Sequence, residues 1–183
     1  MKKRPILMTA ALALGALTPA VAAAPAHAAV SCQGKVATIV GTEGADTITD
    51  TAGNDVIVLL GGNDTLTDRG GNDTICMGAG DDRYQTLSTF GTGTDLIETG
   101  MGNDTVFGAD GNDTVNLKEG NDAFFGSFGN DYVNGGPGTD NLYGYDGNDY
   151  LVGGDGYDNA DGGNGFDTCS SDTELRTNCE QIL

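Results

Sequence analysis

Histidine is almost missing from this chain: its 183 residues contain one, His27. Basic residues are scarce as well, eight Lys and Arg against 27 Asp and Glu, for a formal net charge of −19. Such a chain repels nucleic-acid phosphates and anionic membrane surfaces, so no nucleic-acid partner is expected; it attracts cations. With so little histidine there is no zinc cluster to assemble and no histidine base to activate a nucleophile. No nucleophile elbow and no isolated carboxylate pair stands out either. No catalytic residue is therefore assigned, and enzymatic activity is not expected. Long apolar runs are absent except for Ile6 to Leu17, which is too short for a membrane-spanning helix.

That run has a recognisable setting. Lys2, Lys3 and Arg4 precede it, and Ala26-His27-Ala28 offers a small-x-small cleavage site, so residues 1–28 read as a secretory signal peptide. Pro19 and Pro25 interrupt the segment and argue against a membrane anchor. A lipoprotein signal ending before Cys32 is an alternative, weakened because Ala29 stands where a large aliphatic residue belongs. Removing the segment leaves 27 acidic residues against five basic ones (Lys35, Arg69, Arg83, Lys118 and Arg176), a net of −22. The expected location is secreted, extracellular.

Between Gly44 and Asp167 one sentence is repeated: glycine, any residue, aspartate, any residue, apolar side chain. The aspartates are Asp46, Asp55, Asp64, Asp73 and Asp82 at steps of nine, then Asp95 after a step of thirteen, then Asp104, Asp113, Asp122, Asp131, Asp140, Asp149, Asp158 and Asp167 at steps of nine. Two positions after each comes the apolar slot: Ile48, Ile57, Leu66, Ile75, Tyr84, Ile97, Val106, Val115, Phe124, Val133, Leu142, Leu151, Ala160 and Cys169. Three alternating positions make a very short strand with its middle side chain inward, and the Gly/Asn/Asp-rich remainder makes a tight turn. Two repeats then form one turn of the chain, and stacked turns give two parallel sheets around a narrow apolar file. One modest side chain per repeat is a thin core against the entropy of ordering the loops. Loops eighteen residues apart would also stack their aspartates about 4.8 Å from one another. A file of like charges at that spacing needs something between them; hard oxygen ligands select a hard cation, and many flexible carbonyls favour calcium over magnesium.

The purest copies are Gly135-Gly136-Pro137-Gly138-Thr139-Asp140-Asn141-Leu142-Tyr143 and Gly153-Gly154-Asp155-Gly156-Tyr157-Asp158. On these the chain resembles the RTX, or hemolysin-type, calcium-binding nonapeptide-repeat proteins over about two thirds of its length. The resemblance implies an all-β fold: a right-handed parallel β-roll (a β-helix solenoid) of 18-residue turns, with calcium-binding loops on both edges. It also implies that each ion lies between loops one turn apart and takes a carboxylate oxygen from both aspartates. The backbone carbonyls of Gly102, Gly111, Gly120, Gly126, Gly129, Gly135, Gly136, Gly138, Gly144, Gly147, Gly153, Gly154 and Gly156 would complete the shells. Alternate loops place Asp46, Asp64, Asp82, Asp104, Asp122, Asp140 and Asp158 on one edge and Asp55, Asp73, Asp95, Asp113, Asp131, Asp149 and Asp167 on the other. Pairing neighbours gives about twelve ions, or about ten if the four extra residues near Thr86 to Phe90 break the stack. In the early copies Asp50, Leu59, Asp68 and Met77 replace the first glycine, and Leu60 and Arg69 the second, so Gly126 to Asp167 is expected to bind most tightly. Many relatives append such repeats to a protease, lipase or epimerase domain, which is not visible here. Toxins of the family lack a cleaved N-terminal signal, so toxin function does not follow.

The expected organisation is a signal peptide, 1–28; an N-terminal segment with a capping strand, 29–40; the repeat solenoid, 41–169; and a C-terminal cap closed by a disulfide, 170–183. Val36 to Val40 reads as one strand ahead of the repeats. Four cysteines in an exported chain suggest two disulfides, with three pairings open to sequence. Spacing favours Cys32–Cys76, bridged by a flexible Ser31 to Lys35 segment, and Cys169–Cys179. Beside the apolar slot, Phe107, Phe125 and Tyr143 recur at intervals of eighteen, as do Tyr132 and Tyr150, so two aromatic columns should form. They either stiffen the sheet or offer a cell-surface or polysaccharide partner a contact strip. The chain is expected to be a monomer. Two functions follow: a secreted calcium-binding protein that folds on its ions, or a calcium-dependent adhesive, matrix- or polymer-binding module.

Overall fold

The computed structural model describes residues 29–87, 92–108, 110–170 and 175–182. The expected signal peptide, and residues 88–91 of the inserted segment, lie outside the described residues. Every element of the repeat region is a strand, and neighbours in each sheet run parallel. Among the described residues nine strands form one sheet, from Ile39–Val40 to Gln181–Ile182. Eight form the other, from Thr47–Thr49 to Leu175–Thr177. The chain alternates between the two sheets, so partners are one full turn apart: Val133 lies beside Leu151, and Phe124 beside Leu142. The fold is a parallel β-roll.

The insertion does not interrupt the stack. Ile75 pairs with Ile97 and Tyr84 with Val106, each across 22 residues instead of eighteen. The rungs on either side of the insertion therefore keep their register.

The inward file forms as the alternation requires. From Ile57 to Cys169 each slot residue is buried, while Ile48 at the open end is covered only in part. A second set of buried side chains joins it, Leu59, Met77 and Leu117. These follow an aspartate by four residues and belong only to the nine-stranded side. Thr47–Thr49, Val56–Val58 and Thr105–Phe107 keep to the three positions expected, while other strands are longer, Tyr132–Gly138 and Tyr150–Gly156 running for seven residues each. Their glycine pairs stay in register, Gly136 beside Gly154, so ladder pairing continues into what reads from sequence as turn.

Both ends differ from the simplest expectation. Val36 does not continue into Ile39–Val40. Lys35–Val36 pairs antiparallel with Ser31–Cys32 in a hairpin, and Ile39–Val40 alone starts the nine-stranded sheet. Cys32 is bonded to Cys76, and Lys35 Nζ donates to Thr74 Oγ1 at 2.9 Å. The hairpin therefore lies on the outer face of the first turns, where Val58 and Thr74 are buried although they flank the inward position. An ordered hairpin thus replaces the flexible bridge. At the other end the tail adds a shortened turn: Leu175–Thr177 joins one sheet, Gln181–Ile182 the other, and Cys169 is bonded to Cys179.

Candidate metal-binding edges

Each repeat aspartate stands where a loop turns into a strand, and its backbone is held on both sides. The residue after it donates its N–H to the aspartate carbonyl one turn earlier, as Thr65 does to Asp46 and Tyr150 to Asp131. Its own N–H donates to Oδ1 of the aspartate one turn later. This link runs unbroken from Asp46 through Asp64, Asp82, Asp104, Asp122 and Asp140 to Asp158, at 2.7–2.9 Å. A second file runs from Asp55 through Asp73, Asp95, Asp113, Asp131 and Asp149 to Asp167, at 2.8–2.9 Å. The structure thus brings the fourteen aspartates into two edge files, and Asp73/Asp95 and Asp82/Asp104 are kept across the insertion.

In each link Oδ1 takes the hydrogen bond, and on seven of the aspartates Oδ2 takes none. Oδ2 of Asp64, Asp73, Asp82, Asp122, Asp140, Asp149 and Asp167 is buried and meets no hydrogen-bond donor. Buried polar atoms are nearly always satisfied, so a row of orphans is a shortage with a cause. Burial pushes the carboxyls of Asp82, Asp122 and Asp131 up to about 7 against an ordinary 3.8, and those of Asp140 and Asp149 to about 6. The backbone N–H donors pull these values back down, and neighbouring carboxylates in the file push them up again, Asp104 and Asp140 acting on Asp122. Each file wants either protons or cations.

Glycine leaves the space for this. A Cβ on Gly135, Gly144 or Gly153 would lie 2.4, 2.2 or 2.6 Å from Oδ2 of Asp140, Asp149 or Asp158. The absent side chain is therefore the room around the carboxylate. On Gly156, with φ at 148°, a Cβ would fall 1.5 Å from the carbonyl oxygen of Gly138, so successive loops nest with glycine against carbonyl. Carboxylates and carbonyls on flexible loops are the donor set of a hard cation with many oxygen ligands. The residues present fit calcium.

Not all fourteen positions are alike. Oδ2 of Asp46 accepts from the N–H and hydroxyl of Thr42, and Oδ2 of Asp55 from those of Thr51, so the first aspartate on each edge is capped by a threonine. Oδ2 of Asp95 accepts from the Tyr84 hydroxyl at 2.9 Å. On the last turn Glu180 Oε2 accepts the N–H of Asp167, in place of a further aspartate. Sequence reasoning passed over Thr42, Thr51 and Glu180. The threonines carried a signal, since both precede an aspartate by four residues. Glu180 lies outside the period and carried none. Asp50 and Asp68, read from sequence only as lost glycines, are buried carboxylates on the same edge as Asp73.

Both aromatic columns form. Phe107 and Phe125 stack with centroids 5.0 Å apart, Phe125 and Tyr143 at 5.3 Å, and Tyr132 and Tyr150 at 5.0 Å. Arg83 caps the first column, 4.4 Å above Phe107.

Comparison with known proteins bears on these edges. A family model described as the RTX calcium-binding nonapeptide repeat (4 copies) matches residues 38–66, 51–84, 91–124, 125–160 and 134–169. A search of curated proteins found no match.

Proposed function

Because the chain belongs to the RTX calcium-binding nonapeptide-repeat family, and is a calcium-binding repeat protein, we propose that it is exported unfolded and completes its solenoid on calcium outside the cell. The observation that carries this reading is the row of buried Oδ2 atoms with no donor along both edges. Calcium supplies positive charge between stacked carboxylates. The ligands would be the aspartates from Asp64 to Asp158 on one edge and from Asp73 to Asp167 on the other, with carbonyls of the glycine-rich loops. Where calcium is scarce, the charge of −22 without residues 1–28 keeps the chain expanded and fit for export. Where it is plentiful, binding free energy becomes folding free energy. The two disulfides suit an oxidising compartment.

Seven aspartates on each edge allow six neighbouring pairs, and the stack continues across the insertion, which supports a load nearer twelve ions than ten. The weak pairs are instead Asp46/Asp64 and Asp55/Asp73, where Thr42 and Thr51 already serve one partner. Calorimetry with calcium on the chain lacking residues 1–28 tests the reading. Uptake of many ions per chain is expected; no heat and no stoichiometric uptake would sink it.

A second reading, a calcium-dependent adhesive module, draws on the aromatic columns, of which Tyr132 is the most open at 47 % exposure. The rings of Phe107, Phe125 and Tyr143 are half-buried against one another, which favours a stiffening role. Replacing those three with Ser leaves calcium uptake intact on either reading. Loss of binding to cells or polymer would favour adhesion, and retention would assign the column to the sheet.

A further inference from the structure

We propose that Asp50, Asp68 and Asp73 form a separate, side-chain-built site for a hard divalent cation, calcium in preference to magnesium, within the first two turns of the solenoid. It rests on the calcium-binding reading in one respect, because Asp73 also belongs to an edge file. Its other two members do not belong to the repeat. Gly108, Gly126, Gly144 and Gly162 hold the corresponding position in later copies, where no side chain exists.

The fold places the three together. Thr49 pairs with Thr67, so Asp50 and Asp68, the next residues, sit one above the other on neighbouring rungs. Asp73 leaves the same loop as Asp68. All three are buried, with exposures of 4, 1 and 2 %. One carboxylate oxygen from each lies within 4.8 Å of the other two. Oxygens that close can share one ion held at about 2.4 Å, a calcium distance, and their burial leaves little room for the waters that magnesium tends to keep.

Donors are too few for these acceptors. Oδ1 of Asp50 accepts the N–H of Arg69 and Oδ1 of Asp73 that of Asp55, both at 2.8 Å, and Oδ1 of Asp68 accepts the N–H of Gly70. Oδ2 of Asp50 and Oδ2 of Asp73 are buried and meet no donor. Oδ2 of Asp68 lies 3.0 Å from the Tyr84 hydroxyl, which is also 2.9 Å from Oδ2 of Asp95. A phenol has one hydrogen, so it serves one of those carboxylates at a time. No Lys or Arg side chain pairs with the cluster among the described residues. A proton shared by Asp50 and Asp73 would relieve one pair and leave the remaining charge buried. A dication answers all three at once.

A site with three carboxylates differs from one built mainly on carbonyls. Affinity rises with the number of charged ligands, so this site fills first and fixes the turns beneath the Cys32–Cys76 hairpin. That reverses the expectation that the most regular copies bind most tightly.

The test is a calcium titration by calorimetry of the chain lacking residues 1–28, compared with two double variants. Asp50→Asn with Asp68→Asn removes charge and keeps shape. Asp50→Gly with Asp68→Gly installs the residue of the later copies and so preserves the fold if the asparagines do not. The expected result in either variant is loss of one ion, or roughly tenfold or greater weakening of the tightest class, with the remaining ions unchanged. Magnesium should not displace the tightest ion from the unaltered chain. Unchanged number and tightest affinity in both variants, or displacement by magnesium, overturns this site while leaving the edge files as calcium sites. No uptake by the unaltered chain overturns both.

Discussion

Stripped of calcium at mildly alkaline pH, the chain lacking residues 1–28 is expected to give a coil-like far-UV circular dichroism spectrum, and a β spectrum once calcium is restored. The driving term is the like charge stacked along the two edges, with Oδ2 atoms buried and unserved at seven or more positions. The apolar file is too thin to hold these carboxylates in place alone. Protons provide a second way to quiet them. A carboxyl whose pKa is lifted in the stacked state above its free value binds its proton more tightly there, so protonation favours the stack. For Asp122 and Asp131, lifted to about 7, and Asp140 and Asp149, lifted to about 6, that contribution is complete below the free value of 3.8 and is lost as pH rises through 6 and 7. Decalcified protein should therefore recover part of its β signal on acidification across that window. A folded spectrum in alkaline, calcium-free solution, or one indifferent to pH, would remove the electrostatic basis of the account.

Replacing Gly156 with Ala is expected to cost about 2–5 kcal/mol, combining overpacking with a left-handed backbone position. The new methyl would meet the carbonyl oxygen of Gly138 at 1.5 Å, and that oxygen belongs to a rung fixed in the ladder and cannot swing away. Gly53 occupies the same place in the second copy, yet no turn lies beneath it, and a methyl there finds Thr51 Oγ1 at 3.7 Å, an ordinary contact. Gly53→Ala should be close to neutral. Thermal melts of the two variants at saturating calcium provide the measurement. Equal effects would mean that the glycine serves the turn itself rather than the approach of one loop to the next.

That contrast also explains what could be read from the sequence. A period of nine is written at every copy, so the inward file from Ile57 to Cys169 and the two aspartate files were legible. Leu59, Met77 and Leu117 were not, because they repeat with the full turn on one side only, and reading in nines merges the two sides. Asp50 and Asp68 looked like defects because the pattern has glycine there. Their meaning depends on Asp73 and Tyr84 arriving from elsewhere in the stack. The hairpin of Ser31–Cys32 with Lys35–Val36 lies outside any repeat, and its place on the outer face is fixed by Cys76, 44 residues away.

The aspartate links all point one way, from the amide of one rung to the carboxylate of the next, so the rod has unlike ends. Its beginning has aspartates with no rung beneath to serve them, and at its finish the Asp167 N–H has no repeat aspartate above. Thr38, Thr42 and Thr51 supply hydroxyls at the first, and Glu180 supplies an oxygen at the last. Left bare, each end would present unpaired groups of the kind an exposed sheet edge offers. These few side chains, unremarkable in the sequence, occupy at each end the groups that a further rung would otherwise take.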